Sequence, residues 1–506
     1  MTISIDYALR HWSRAVPEQD AVHFEDDAVT YRELDRWVDA AAHHLSDSGI
    51  SRGDRVAIAG NNSLDWVVLD LAIHRVGAIV VPLNTRLTDS ELQISIKEST
   101  PAIVAHDDDL KDRITRATRT HPGLSLLPFE EIAALREQDS PEHPTVEVDG
   151  DEPSVLVFTS GTTGRPKAVI YTHVSMAMMM YELSLIHDIR LNDHRPLLAL
   201  PLYTALGVIY SLERTIIHGG TLILEARLDP ARALELISQK RVTHMSGPSI
   251  FYDRLAQHDD FAEADLSSLR NVDVGGSRVE SDTIQKWKEH GVVIRQMYGQ
   301  TEIGGYGTLN SAELAVKHPE FCGIGGVFTR VRVVDAEGKD TAPGEAGEIL
   351  LRGPGMTPGY WGRPEATQNT IVDGWIHTGD LGKLDENGNL IYVDRMKDII
   401  ISGGLNIAPA EIEEVIERVP GVKEAAVIPV PDAKFQETPA AIVHAVSTVT
   451  SEDVINYCNE HLADYKVPRY VVIVDAELPR TPTGKLEKAV LKKQYEDAPK
   501  TREKVR

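Results

Sequence analysis

Between Thr30 and Leu83 the hydrophobic period switches back and forth between helix and strand, and that alternation restricts the fold more than any other feature of the chain. Thr30-x-x-Glu33 fits a capping box, and Leu34, Val38, Ala41, Ala42 and Leu45 then recur at helical spacing until Gly49 stops the run. The apolar segment Val56 to Ala59 follows, then a helical stretch from Trp66 to His74. The continuous, β-branched run Ala78 to Leu83 comes next and has the texture of a buried strand. Leu222 to Leu224 and Val292 to Ile294 repeat the strand signal later. Strands alternating with helices imply largely parallel sheets covered by helices. From about residue 325 the texture changes. Asp335-Ala-Glu-Gly338, Pro343-Gly344 and Glu386-Asn-Gly388 separate short strands such as Glu348 to Leu351 and Leu390 to Val393, which predicts an antiparallel β region. A helix over Pro409 to Val419, a strand over Ala425 to Val430 and a helix over Ser451 to Leu462 complete the pattern. The expected fold class is therefore α/β: a large N-terminal domain, residues 1–394, of βαβ sheets plus a small antiparallel β region, then a small α+β C-terminal domain, residues 395–506. The boundary is expected near Asp394 to Lys397, and the charged tail after Glu496 is expected to be disordered.

Composition excludes several classes of function. With 506 residues the chain can bury large cores, and it contains no apolar stretch approaching the roughly 18 residues of a membrane span. Its first ten residues already carry charge and no secretory pattern follows, so the expected location is the cytoplasm. Cys322 and Cys458 lie too far apart in sequence to suggest a disulfide framework or a cysteine metal site. Lys and Arg number 52 against 77 Asp and Glu, a net charge of −25, which argues against a nucleic-acid binder held by phosphate neutralisation. An anionic ligand must then be met locally, by cations and backbone N–H groups beside glycines.

Such a place exists. Thr159-Ser160-Gly161-Thr162-Thr163-Gly164-Arg165-Pro166-Lys167 lies between the apolar runs Ser154 to Phe158 and Ala168 to Ile170. Its spacing fails the Walker A pattern and its context is strand, loop, strand. It still offers what a polyphosphate needs: glycines that admit a close backbone approach, four hydroxyls and a lysine.

The nine residues resemble the signature of the adenylate-forming superfamily, which includes acyl-CoA synthetases, peptide-synthetase adenylation domains and luciferases. Four further motifs of similar kind follow in order: Tyr298-Gly299-Gln300-Thr301-Glu302, Thr378-Gly379-Asp380, Asp394-Arg395 running into Ser402-Gly403-Gly404, and Pro482-Thr483-Gly484-Lys485. The resemblance is strongest to bacterial acyl-CoA or aryl-CoA ligases and spans nearly the whole chain. It implies ATP, Mg²⁺ and coenzyme A as cofactors. It also implies that Tyr298, with Gly299, packs on the adenine, that Thr301 reaches the α-phosphate and that Glu302 holds the metal, a hard cation that wants oxygen. Gly275, Gly276 and Ser277 resemble the strand end lining the adenine and acyl pockets, and Asp380 and Arg395 the ribose contacts. Lys485 corresponds to the ammonium that stabilises charge at the α-phosphorus. Lys397 falls at a hinge about which the small, mobile domain turns, withdrawing Lys485 and bringing Ser402, Gly403 and Gly404 toward a pantetheine channel.

The same resemblance places the acid near Tyr203, Thr204, Gly207, Gly275, Gly304 and Gly305. The last two glycines are expected to open space for an aromatic, alicyclic or medium-chain carboxylate. Two positions depart from the family pattern. Thr204 stands where relatives carry histidine, and Leu405 where an acidic residue is common. An amine or a carrier-protein thiol is therefore retained as an alternative acceptor, and a homodimer as an open expectation. A non-catalytic nucleotide-binding protein on the same fold is disfavoured, since every charged residue that adenylation needs is present.

Overall fold

The computed structural model describes residues 3–501 apart from 122, 160–165, 188, 276–278, 280, 403–404, 433, 447 and 482–483. The chain packs as two compact units, one formed by Met1–Val331 with Leu351–His377, the other by Arg332–Leu350 with Thr378–Arg506.

The first unit contains two mixed sheets. In the six-stranded sheet, Arg55–Ala59 lies between Ile103–His106 and Ile79–Pro82, all parallel, while Pro153–Thr159 and Lys167–Thr172 form an antiparallel hairpin at one edge. The nine-stranded sheet runs parallel through Ile294–Tyr298, Asn271–Val274, His244–Gly247, Pro196–Leu198, Leu222–Leu224 and Asp20–Phe24, with antiparallel strands at both edges. The βαβ expectation is met, and so is the capping box. Thr30 Oγ1 accepts from the Glu33 amide at 3.3 Å and Glu33 Oε2 accepts from the Thr30 amide at 2.9 Å, opening the helix Tyr31–Asp47. The helix Leu64–Arg75 is buried at every position but Asp65, because apolar residues run around its whole circumference. Met176, Met179 and Met180 are buried on the helix His173–Ile186 and belong to the core.

In the second unit, Trp375–Leu384 pairs antiparallel with Leu390–Arg395, followed by a 3₁₀ turn at Met396–Asp398. Next come the hairpin Ile400–Ser402 with Leu405–Ile407, the helix Pro409–Glu417, the long strands Val422–Asp432 and Gln436–Ala445, the helix Ser451–His461 and the strand Tyr470–Val474. The start of the tail departs from expectation, and residues 502–506 lie outside the described residues. Ala498–Thr501 is helical, and Ala498 is buried in an apolar cluster with Leu491, against which Tyr495 packs. Apolar burial ordered a segment whose composition reads as disordered.

Candidate active site

In an open α/β sheet, ligands gather beyond the carboxyl ends of parallel strands. The first unit follows that rule. Pro196–Leu198 leads into Pro201 to Gly207, Asn271–Val274 into Gly275, and Ile294–Tyr298 into Gly299 and the 3₁₀ turn Thr301–Ile303, with the three strands separated only by His244–Gly247.

The hydroxyl- and glycine-rich loop springs from the edge hairpin, where Thr159 and Lys167 sit opposite one another. Ser160, Gly161, Thr162, Thr163 and Gly164 lie outside the described residues, as do Gly276, Ser277, Gly403 and Gly404. The Lys167 ammonium lies 4.9 Å from the centroid of the Tyr360 ring. Tyr360 in turn donates its hydroxyl to Glu302 Oε1 at 2.8 Å. Lys167 and Glu302, 135 residues apart in sequence, are thus joined through a tyrosine that sequence reasoning missed. The signal was present as an aromatic pair, Tyr360-Trp361, after Gly359, but nothing local ties it to Glu302. The Glu302 carboxylate is only 9% exposed as a residue, and its backbone carbonyl accepts from the Thr357 amide at 2.8 Å. Tyr171 donates to the Thr301 carbonyl at 2.9 Å. Burial and the Glu302 charge hold the Tyr360 phenol well above its ordinary pKa, so it stays a donor.

These groups fit a metal–polyphosphate ligand. A buried carboxylate with one oxygen already oriented suits Mg²⁺. The buried Gln300 Nε2 has no hydrogen-bond partner among the described residues, and a phosphate oxygen would supply its acceptor.

Gly304 and Gly305 behave differently from the expectation that they open space. Both have positive φ, +85° and +86°, and a Cβ at Gly304 would meet the Gly355 carbonyl at 2.8 Å and Met179 Sδ at 3.0 Å. At Gly305 it would meet the Tyr210 ring at 2.6 Å, and Tyr210 donates its hydroxyl to the Gly304 carbonyl at 2.5 Å. The space those glycines release is already filled by packing. Thr204 also has a local task. Its hydroxyl donates to the Pro201 carbonyl at 2.8 Å and accepts from the Gly207 amide at 3.0 Å, which closes the turn. Asn62 holds the same segment from another element, donating to the Leu200 carbonyl and accepting from the Leu202 amide. The buried Tyr203 hydroxyl has no partner among the described residues, and burial pushes its pKa up to about 12.

In the second unit, Asp380 and Arg395 face each other across the hairpin, with Arg395 Nε 3.8 Å from Asp380 Oδ1. Thr378 donates to the Ile349 carbonyl at 2.6 Å and accepts from the Asp380 amide at 3.1 Å, which fixes the start of the Thr-Gly-Asp motif. Lys397 lies in the 3₁₀ turn directly after Arg395, and Ser402 ends a strand opposite Leu405. Lys485 closes a turn in which its amide donates to Thr481 Oγ1 at 3.1 Å and its carbonyl accepts from the Thr481 amide at 2.7 Å. Arg480 donates to the Gly484 carbonyl and pairs with Glu424, bracing that turn.

Each unit, taken by itself, carries the residues that the resemblance to adenylate-forming enzymes predicts for it. Comparison with known proteins agrees. The AMP-binding enzyme model matches residues 9–361, and the AMP-binding enzyme C-terminal domain model matches residues 411–485. The chain belongs to the AMP-binding enzyme family. It is 36% identical over 486 residues to a feruloyl-CoA synthase of Amycolatopsis sp., covering 96% of this chain and 97% of that one. It is 36% identical over 479 residues to the long-chain-fatty-acid–CoA ligase FadD13 of Mycobacterium tuberculosis, covering 93% and 94%. Among solved structures, the o-succinylbenzoate coenzyme A synthetase of Bacillus subtilis in complex with ATP and magnesium ion superimposes with a TM-score of 0.87. That pair shares 29% identity, covering 96% of this chain and 99% of that one. Among the described residues no helix is long and apolar enough to cross a membrane.

Proposed function

We propose that this acid–thiol ligase works through Lys167, Thr301 and Glu302 on its first unit and Asp380, Arg395 and Lys485 on its second. The reaction is ATP-dependent activation of a carboxylic acid to an acyl-adenylate, followed by acyl transfer to coenzyme A with release of AMP. The observation that carries the assignment of roles is the chain of contacts from Lys167 through Tyr360 to the buried Glu302 carboxylate.

In this reading Lys167 and the hydroxyls of its loop bind the β- and γ-phosphates, and Gln300 donates to a phosphate oxygen. Glu302 would hold magnesium, which would offset polyphosphate charge where the acid's carboxylate approaches. Tyr298 and Gly299 pack on adenine, Gly275 to Ser277 border both adenine and acid, and Asp380 accepts the ribose hydroxyls beside Arg395. Lys485 places a fixed ammonium where negative charge grows at the α-phosphorus, so it favours the transition state over the ground state. The acid is aromatic, alicyclic or medium-chain and lies against Tyr203, whose hydroxyl, without a partner among the described residues, suits a polar substituent. Residues 1–394 act as the adenylation domain and 395–506 as the mobile domain. Turning at Lys397 then exchanges Lys485 for Ser402 to Gly404 beside the thiol.

The test is incubation with ATP, Mg²⁺ and a panel of such acids, with and without coenzyme A, and mass analysis of the products. Acyl-CoA and AMP that appear only with coenzyme A support the reading, and the product mass names the acid. AMP and pyrophosphate without any thioester would transfer the acceptor role to an amine or a carrier-protein thiol. Light scattering of the same sample reads the proposed homodimer as two chains rather than one.

A further inference from the structure

The buried helix Leu64–Arg75 carries three ionisable residues in its last two turns, Asp70, His74 and Arg75, and the structure treats them unequally. Arg75 is fully served. Its guanidinium donates to Asp6 at 2.7 Å, Asp39 at 2.7 Å and Asp35 at 2.5 Å. Asp70 and His74 lie one turn apart on a single helix face and meet Glu213, the last residue of the π-helix Leu206–Glu213. One ligand atom from each of the three lies within 4.8 Å of the other two. His74 Nε2 is 3.2 Å from Glu213 Oε1, and neither side chain reaches solvent. Both oxygens of Asp70 and Oε2 of Glu213 are buried with no hydrogen-bond partner among the described residues.

Two carboxylates and an imidazole in a dry interior are costly unless their charge and lone pairs are met. A proton shared between the carboxylates would serve two of the three orphaned oxygens at most. A divalent cation serves all of them and the imidazole together. The other ring nitrogen of His74 lies 3.3 Å from the Ser154 hydroxyl, an outer partner of the kind that orients a metal-ligating histidine. One nitrogen and two carboxylates suit zinc and its first-row neighbours, whereas Mg²⁺ and Ca²⁺ favour oxygen alone.

We propose that Asp70, His74 and Glu213 hold a resident first-row transition-metal ion of the zinc class, separate from the Mg²⁺ used in adenylation. Its task is structural. It ties the buried helix to the π-helix that begins two residues after Thr204, and so fixes the segment proposed to border the acid. Full burial means the ion is taken up as the chain folds. The inference does not depend on which acid is activated or on the acceptor.

The full-length protein, purified without chelators or metal resin and dialysed against Mg²⁺, is analysed for metals by mass spectrometry. The expectation is about one zinc-class ion per chain, as for a closed structural site, with at least a tenfold loss in Asp70→Asn and in Glu213→Gln. If a variant does not fold, the wild-type chain decides: unfolded with chelator and refolded with Co²⁺, it is expected to develop visible ligand-field bands. Wild-type protein with less than about a tenth of an equivalent of metal, and no such bands on refolding, overturns the proposal. So does full retention of metal by both folded variants.

Discussion

The candidate metal-binding carboxylate of the first unit is set by packing, and the candidate lysine of the second by a short turn. Glu302 is buried, with Tyr360 on its carboxylate, Thr357 on its carbonyl and Tyr171 on the carbonyl before it. The Lys485 backbone is bonded to the amide and the hydroxyl of Thr481 within five residues, braced by Arg480, and the Arg395 side chain is 45% exposed. A residue held by a core cannot be altered without disturbing that core. A residue carried on a turn can be removed for its chemistry alone.

The largest effect expected from this contrast is acid sensitivity centred on the first unit. Burial holds five of its histidines neutral: His173 at about 3, His187 and His218 at about 4, and His194 and His244 well below the ordinary value. A histidine with a depressed native pKa contributes stability that is complete above about 6.5 and is lost as pH falls toward its folded value. Each contributes a slope of up to about 1.4 kcal/mol per pH unit in that window. The buried Asp65, raised to about 6, opposes them between about 6 and 4. His23 and His143, also lowered by burial, act with the five, and the raised Asp39, Asp107 and Glu225 act with Asp65. The deeply buried histidines carry the larger shifts, so net destabilisation is expected. Thermal unfolding followed from pH 7 to pH 5 is expected to show a falling midpoint, and a rising one would break the contrast.

Lys485→Ala is expected to lose on the order of 10²–10³ in adenylation rate, read as pyrophosphate release, with no change in the unfolding midpoint. Loss of stability in parallel with rate would show that the turn is part of a core after all. Tyr360→Phe sharpens the other side. Removing the hydroxyl is expected to raise the Mg²⁺ concentration for half-activation by about tenfold and to lower stability by about 1.5 kcal/mol. An unchanged magnesium requirement would separate Tyr360 from the metal-binding role of Glu302. The smallest effect is that of Thr204→Ala, about 1 kcal/mol from the lost turn closure, measured as a shift in denaturant midpoint.

Much of the fold was legible because its signals are local. Thr30 with Glu33 announced a helix start, and Leu222 to Leu224 is the strand its composition suggested. The strand expected at Val292 begins only at Ile294, since Val292 still belongs to the turn that closes the preceding helix, its amide bonded to the Trp287 carbonyl. Of the residues expected at the site, the structure describes Thr159, Lys167, Tyr298 to Glu302, Asp380, Arg395 and Lys485. What sequence could not supply were contacts between distant segments: Tyr360 on Glu302, Asn62 on the segment before Tyr203, and Glu213 against Asp70 and His74. No period or spacing encodes those meetings. The Gly304–Gly305 pair was misread for the same reason, because the neighbours that fill its space come from residues 179, 210 and 355.

That filled space determines which single substitutions are open to an evolving or engineered pocket. Adding bulk at residue 304 or 305 meets strained backbone and occupied volume at once, so change by enlargement is closed there. Trimming is open at Tyr210, whose ring lies against Gly305 and whose hydroxyl is bonded to the Gly304 carbonyl. A shorter side chain at residue 210 releases room and unties that carbonyl in one step. On the proposed placement of the acid beside Gly304 and Gly305, new acids are therefore expected to be gained by loss of an aromatic ring that is distant from the signature motifs in sequence alone.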